Sequence, residues 1–346
     1  MHAARRIAAA FVLIIAPPIA ASAADASAEG NVSVATVLEG TVLEGRERDI
    51  LAGKKVTVEA LQSSRREMSA ALACLIPPGR KGSLAHLHNA EAIMPDQYRD
   101  ASGSIDVNDL EGSLASLTIG KSAEKEAKRY LEARPGWEIS LSSEEIAAFN
   151  ALDPPEGQEV PAVEAELARQ FAKRVRDYHA RGLEGIAPFD RGDGETSSSG
   201  DDLRNSTISS EGFLKVLPNT HRALLAFPLA DQSDGESYYF WTRIRVLGRP
   251  VFLLNQRLIA QPDGVPVVIE RQFYATQFLG AGQTVTALVP VQEGTLALYV
   301  NHTFVDRWTG PGFAAGTKRA VGLKIINGIL PEMADEYGLC EGIAAP

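Results

Sequence analysis

The chain is poor in cysteine, tryptophan and methionine, short of basic residues, and without an apolar run long enough to cross a bilayer. Two cysteines in 346 residues, Cys74 and Cys340, exclude a disulfide-dense scaffold. Neither belongs to a C-x-x-C pair, so zinc-ribbon and thioredoxin-like readings fall away. Lys and Arg number 34 against 44 Asp and Glu, a formal net charge of −10. That balance argues against nucleic acid and anionic membrane as partners. No nucleophile elbow, phosphate-binding loop, dinucleotide fingerprint or H-E-x-x-H occurs. Apolar content of 45% is nevertheless enough for a sizeable core.

The N-terminus has the layout of a secretory signal. Arg5 and Arg6 precede the apolar run Ile7–Ile15, Pro17-Pro18 interrupt it, and Ala21-Ser22-Ala23 supplies a small-x-small cleavage site. The run falls short of the roughly 20 residues that a membrane span needs. Residues 1–23 are therefore read as a cleaved signal, and the protein as exported, periplasmic or secreted. No cysteine follows the signal, which excludes a lipoprotein anchor. Losing Arg5 and Arg6 with the leader takes the formal charge from −10 to −12. An oxidising compartment permits a Cys74–Cys340 bridge. The preferred expectation is still two free thiols, because a buried cysteine packs as a small apolar side chain and no pattern positions Cys340.

Residues 24–50 read as an N-terminal arm carrying the tandem "TVLEGTVLEG" at Thr36–Gly45. A first strand follows, with Met68, Ala70, Leu72, Cys74 and Ile76 on one face, ended by Pro77-Pro78-Gly79. "GSLAHLHNAEAIMPD" reads as a helix. His86 and His88 then point about 200° apart and cannot chelate together, although His88 and Glu91 could; without a third histidine no metal site is expected, and no cofactor is assigned. A helical insertion over about residues 122–228 comes next. Ser122 is expected to cap a helix through Glu132, "WEISL" to form a short strand, and Ser142 with Glu145 to make a capping box. The helix Val163–Arg181 buries Leu167, Phe171, Val175 and Tyr178, and Gly182 ends it. Asp190–Asp202 reads as a mobile surface loop, followed by short helices around Glu211–Val216 and Thr220–Ala226.

From Tyr238 the texture is that of an antiparallel meander. The runs Tyr238–Leu247, Val251–Ala260, Val265–Leu279, Thr284–Val291 and Thr295–Arg307 are rich in β-branched and aromatic residues. Gly248-Arg249-Pro250, Pro262-Asp263-Gly264, Gly280-Ala281-Gly282 and Glu293-Gly294 divide them. A last helix from Ala314 carries Val321, Ile325 and Ile329 at intervals of four and is kinked near Gly328, because Pro331 cannot continue it.

This order resembles a helix-grip fold. "IPPGRKGSLAHLHNAEAIMPD" resembles the first-strand-to-helix passage of START-like lipid-transfer domains (the SRPBCC type). "RQFYATQFLGAGQTVTALVP" and "YVNHTFVDRWTG" resemble the closing strands of an exported bacterial family without an established activity, and "RPGWEISLSSEEI" and "RDYHARGLEGIAPF" resemble further blocks of it. The resemblance spans about residues 46 to 337. It implies one α+β domain over residues 51–340, with a curved antiparallel sheet packed on the kinked C-terminal helix and a hydrophobic cavity between them.

Strand alternation then assigns candidates. His302 shares a face with Leu296, Leu298, Val300 and Phe304, whereas Asn301 points away, so the two cannot converge on one substrate atom. His302 and Asp306 stand about 13 Å apart along a strand. His302 reads first as a satisfied structural histidine, second as a cavity contact, and last as a general base. Arg271 shares an apolar row with Val267, Ile269, Phe273 and Ala275, while Glu270, Gln272 and Tyr274 face away unless a bulge intervenes. The candidate ligand set is Arg271, Phe273, His302 and Phe304 from the sheet and Val321, Ile325 and Ile329 from the helix. It would hold a hydrophobic small molecule or lipid, with Arg271 at an acidic or phosphate end. No residue is assigned as catalytic. The alternatives are an enzyme of cyclase or hydrolase type using the same cavity, and a filled fold serving protein interaction. Protein recovered after export is expected to have the mass of a chain beginning at Ala24. A mass that retains residues 1–23 contradicts the signal.

Overall fold

The computed structural model of this chain describes residues 32–60, 62–64, 66–80, 84, 99–210, 212, 216–227, 235–305 and 340. Eight strands form one antiparallel sheet in the order β1-β2-β10-β9-β8-β7-β6-β3. They are β1 (Val56–Glu59), β2 (Glu67–Ile76), β3 (Arg99–Ile105), β6 (Gly235–Val246), β7 (Arg249–Ala260), β8 (Val267–Ala275), β9 (Leu279–Val291) and β10 (Gly294–Val305). The five meander strands β6 to β10 lie side by side in chain order. β2 flanks β10 at one side, and β3 pairs with β6 at the other.

Turn chemistry sets the register. Between β6 and β7 the two-residue loop Leu247-Gly248 has φ of 53° and 81°. Both positive values match the twist of a tight hairpin, which explains why Leu247 is tolerated there only with its side chain in solvent. The expected turn at Gly280-Ala281-Gly282 is not formed, and those residues lie inside β9. The chain instead reverses at Thr276-Gln277-Phe278, with Phe278 at φ 66°. Side-chain bonds hold that reversal: Phe252 N–H donates to Thr276 Oγ1 (3.0 Å), and Gln277 Nε2 donates to the Pro250 carbonyl (2.6 Å).

One sheet face carries a helical layer. Its elements are α3 (Leu110–Leu114), α4 (Ala123–Leu131), α5 (Ser143–Asn150), α6 (Glu159–Arg181) and α7 (Ser199–Ser209). The stripe Leu167, Phe171, Val175 and Tyr178 of α6 is fully buried, as its spacing predicts. Phe171 meets Phe252 and Tyr274 edge-on, each at 5.6 Å, and Tyr178 stacks on Phe273 at 4.3 Å. Gly182 takes a positive φ of 59° as the C-cap. The capping box at Ser142 and Glu145 opens α5 as expected. Ser122, by contrast, is left-handed and makes no cap bond.

Two further expectations are corrected. "WEISL" forms no strand but a bent, irregular stretch whose Ser140 N–H donates to the Thr276 carbonyl (2.7 Å). Asp190–Asp202 is an ordered hairpin, β4 (Phe189–Gly192) with β5 (Glu195–Ser197), running into α7. Composition marked it as loop, but buried Arg191 anchors it. The Arg191 guanidinium donates to Ser197 Oγ (2.8 Å) and the Gly136 carbonyl (3.0 Å) and lies over the Trp137 ring at 4.3 Å.

On the same sheet face, beyond the helical layer, the N-terminal arm contributes α1 (Val34–Leu38) and α2 (Glu47–Leu51). Leu38 and Leu43, equivalent positions of the tandem pentapeptide, are both buried there with Leu298 and Val300 and with Leu224 of α8 (Pro218–Ala226). The opposite sheet face carries Met68, Leu72, Cys74, Leu253, Leu288 and Tyr299, joined by Leu84 and Cys340. Cys340 is bonded to Cys74, so the expectation of two free thiols is overturned, and the pair closes a separation of 266 residues.

Thiol counting under denaturing, non-reducing conditions is expected to find no free thiol in a monomer. In the chain-entropy description so long a crosslink contributes up to about 5 kcal/mol, so Cys340→Ser should lower the unfolding free energy substantially. Phe171→Ala should cost about 3–5 kcal/mol in denaturant titration, because it opens a hole between α6 and the sheet.

Candidate functional site

The four sheet candidates face the interior beneath the helices and arm. Phe273 and Phe304 are buried in the helical-layer core. Arg271 and His302 belong to a polar belt that crosses the sheet between that core and the apolar cluster under the arm. Register places Gln256 opposite Arg271, Arg271 opposite Gln283, Gln283 opposite His302, and His302 opposite Ser69. The Arg271 guanidinium is fully buried and donates to Gln283 Oε1 (2.8 Å) and Thr207 Oγ1 (3.4 Å). Among the described residues no carboxylate meets it. Burial raises the Tyr178 hydroxyl above its usual range, while the charge of Arg271 opposes that shift. Val321, Ile325 and Ile329 lie outside the described residues.

A bulge changes the facing of β8. Leu254 pairs with Tyr274 but Asn255 with Gln272, which leaves Phe273 as an extra residue. Phe273 and Tyr274 therefore both reach the helical layer, and Ala275, expected beside Phe273, joins the opposite face.

That opposite face holds a second polar group. Tyr238, Arg257, Glu270, Thr284 and Asn301 are successive register partners across β6 to β10. Asn255 and Gln272 form the neighbouring pair. Arg257, Glu270 and Asn255 are at most 2% exposed. Arg257 donates from Nη2 (2.7 Å) and Nε (3.2 Å) to the same oxygen, Glu270 Oε2. Its guanidinium also lies 4.9 Å from the centroid of the Phe240 ring. Asn301 Nδ2 donates to Thr284 Oγ1 (3.1 Å), and Thr303 Oγ1 to Asn301 Oδ1 (3.0 Å).

The pairing is incomplete. Among the described residues, Arg257 Nη1, Glu270 Oε1 and both Asn255 side-chain atoms have no hydrogen-bond partner. A buried polar atom left in this state costs about 1–3 kcal/mol, so four together on one patch are a standing demand for a partner. They combine two donors and two acceptors, and the surrounding face is apolar, with Leu253, Val268, Leu288 and Tyr299. Such a surface can take a molecule with a hydroxyl, amide or carboxyl group on an apolar body. Among the described residues no three His, Cys, Asp or Glu side chains gather to hold a metal ion.

Sequence reasoning missed this patch. Glu270 and Gln272 alternate away from the Arg271 row, which sets them outside the candidate site. What identifies them is that β8 is buried on both faces, a property of the layers above and below it. No family model, curated protein or solved structure matches the chain.

Burial pushes the Glu270 carboxyl from 4.5 up to about 7, against the lowering charge and hydrogen bond of Arg257. A carboxyl raised on folding binds its proton more tightly in the folded than in the unfolded chain. Its stabilising contribution is complete below pH 4.5 and is lost as the pH rises through about 7. Glu270→Gln, permanently neutral, is expected to flatten the fall in melting temperature across that window. Parallel curves for parent and variant would contradict the assignment.

Proposed function

We propose that the protein binds and carries a hydrophobic small molecule or lipid with a polar head, held on the sheet face of Asn255, Arg257 and Glu270. The observation that carries this reading is the set of four buried polar atoms without partners inside an apolar surface. The head group would take up Asn255, Arg257 Nη1 and Glu270 Oε1, and the body would lie along Leu253, Val268 and Leu288. The topology supports a helix-grip arrangement. Strand β2 sits beside the last strand β10, β3 beside the first meander strand β6, and Cys340 is bonded to Cys74 on this same face. In this reading the segment before Cys340, with Val321, Ile325 and Ile329, covers the ligand. Arg271 and His302 stand on the other side of the sheet. No described helix is long and apolar enough to cross a membrane, and a disulfide suits an oxidising compartment, so export agrees with this role. A second reading, proton-transfer catalysis at the same patch, draws on Glu270, because a carboxyl near 7 both gives and takes a proton at neutral pH.

Native mass spectrometry of the purified protein is expected to show a co-purified apolar ligand. Asn255→Leu separates binding from folding: it removes two unpartnered polar atoms, so the melting temperature should hold or rise while the ligand-bound fraction falls. A parent protein that carries no ligand and yields none to solvent extraction would exclude the carrier role.

A further inference from the structure

Glu67, His302 and Ser210 come together from distant parts of the chain on the sheet face opposite the ligand patch. Glu67 opens β2, His302 lies in β10, and Ser210 ends α7. Ser210 Oγ stands 2.9 Å from His302 Nε2, and His302 Nδ1 stands 2.5 Å from Glu67 Oε1. Glu67 is fully buried and further held: Ser69 Oγ donates to Oε1 (2.7 Å), and the Ser63 hydroxyl (2.6 Å) and backbone N–H donate to Oε2. Burial works to raise this carboxyl, but the hydrogen bond and charge of His302 and the serine hydroxyls outweigh it and hold it below the usual range.

Those contacts decide the tautomer. An ionised carboxylate only accepts, so Nδ1 carries the proton towards Glu67, and Nε2 of the neutral ring is left as an acceptor aimed at Ser210. The Ser210 hydroxyl has two acceptors in reach, His302 Nε2 and the Ser206 carbonyl at 2.7 Å. It donates to Nε2 when the ring is neutral, and to the carbonyl when the ring is an imidazolium. Ser210 is half-buried, and with His302 it lines an apolar cleft of about 80 Å³. The cleft is walled by Leu38, Val42 and Leu43 of the arm and by Leu298 and Val300 of β10. The arm is seated closely there, since a Cβ on Gly212 would meet Thr41 at 2.9 Å.

We propose that Ser210, His302 and Glu67 form a hydrolytic centre for esters of short carboxylic acids, separate from the ligand patch. Ser210 is the nucleophile, His302 the general base and Glu67 the positioning residue, an arrangement of roles recognised by geometry rather than by chain order. Ser210 Oγ bonds to the ester carbonyl carbon while its proton passes to His302 Nε2. The carbon–oxygen bond to the alcohol breaks, and Nε2 returns that proton to the departing alkoxide. Water then attacks the acyl-serine and gives a proton to Nε2. The acid leaves, and Ser210 recovers its hydrogen. The balance is one ester and one water to one acid and one alcohol. The cleft volume selects a short acyl chain, since long lipid tails exceed it.

The test is labelling of the intact folded protein with a fluorophosphonate, followed by peptide mapping and by hydrolysis of p-nitrophenyl butyrate and palmitate. The expected result is one adduct, on Ser210, and turnover of the butyrate that Ser210→Ala abolishes, with palmitate poor. His302→Gln should slow labelling about 10²-fold or more. Glu67→Gln, whose amide can donate as well as accept, should slow it too by releasing the tautomer, with the melting temperature reported alongside. No adduct on Ser210 in the folded parent overturns the proposal. So does an adduct that forms at the same rate in folded His302→Gln, because the serine would then react without its base. Lipid retention by Asn255 variants is read independently of either outcome.

Discussion

Burial of both faces of the central sheet is the constraint from which the other features follow. An antiparallel sheet commonly turns one face to water and places its polar residues there. Here β2 and β8 have no residue facing solvent, and β9 has only Pro290 partly exposed. Every polar side chain of these strands must be satisfied by another part of the chain or by a bound molecule, since water is not at hand. Antiparallel register sorts those side chains into cross-strand rows, so the polar groups concentrate in two patches, one on each face.

The two patches meet the constraint differently. Under the helical layer the belt is extensively cross-linked, although Arg271 Nη1 has no partner among the described residues. Gln283 joins Arg271 to Thr207, Tyr178 O–H reaches Gln256 Oε1 at 2.6 Å, and His302 is held between Glu67 and Ser210. Helix α7 supplies Thr207 and Ser210 as a polar lid to a row that the strands alone leave open. On the other face Arg257 and Glu270 use a single carboxylate oxygen between them, and the Asn255 side chain has no hydrogen-bond partner among the described residues. Half-satisfied buried polar groups lower stability, so a fold that retains them on one patch carries a cost that a ligand would relieve.

The periphery supports this division. The arm packs Leu38 and Leu43 onto the sheet beside His302 and closes the cleft there. Cys340 and Leu84 close upon the other face, and the disulfide ties the first long strand to the chain's end. Tyr178, stacked on Phe273 and bonded to Gln256, joins apolar core and polar belt through one side chain.

Local pattern determined the types of the long, strongly periodic elements. The 3.6-residue stripe of α6 and the capping box at Ser142 are local signals that formed as read, and the β-branched texture after Tyr238 became five strands, with the turn between the third and fourth displaced. Alternation also placed His302 and Asn301 on opposite faces correctly, because a regular strand leaves no other choice. What local pattern could not reach was decided by contacts between distant residues. Arg191 ordered a loop-like segment through Gly136 and Trp137, and side-chain bonds to Phe252 and Pro250 moved a turn from glycine-rich residues to Thr276-Gln277-Phe278. A bulge at Phe273 turned Tyr274 inward, and the closing of layers over both faces buried Glu270 on the face away from the Arg271 row. Glu67, Ser210 and His302 are far apart along the chain, and none carries a local motif. Only β2 pairing with β10, with α7 laid across that pair, makes them neighbours, since strand pairing and layer packing are set by the whole sheet and not by any one segment of it.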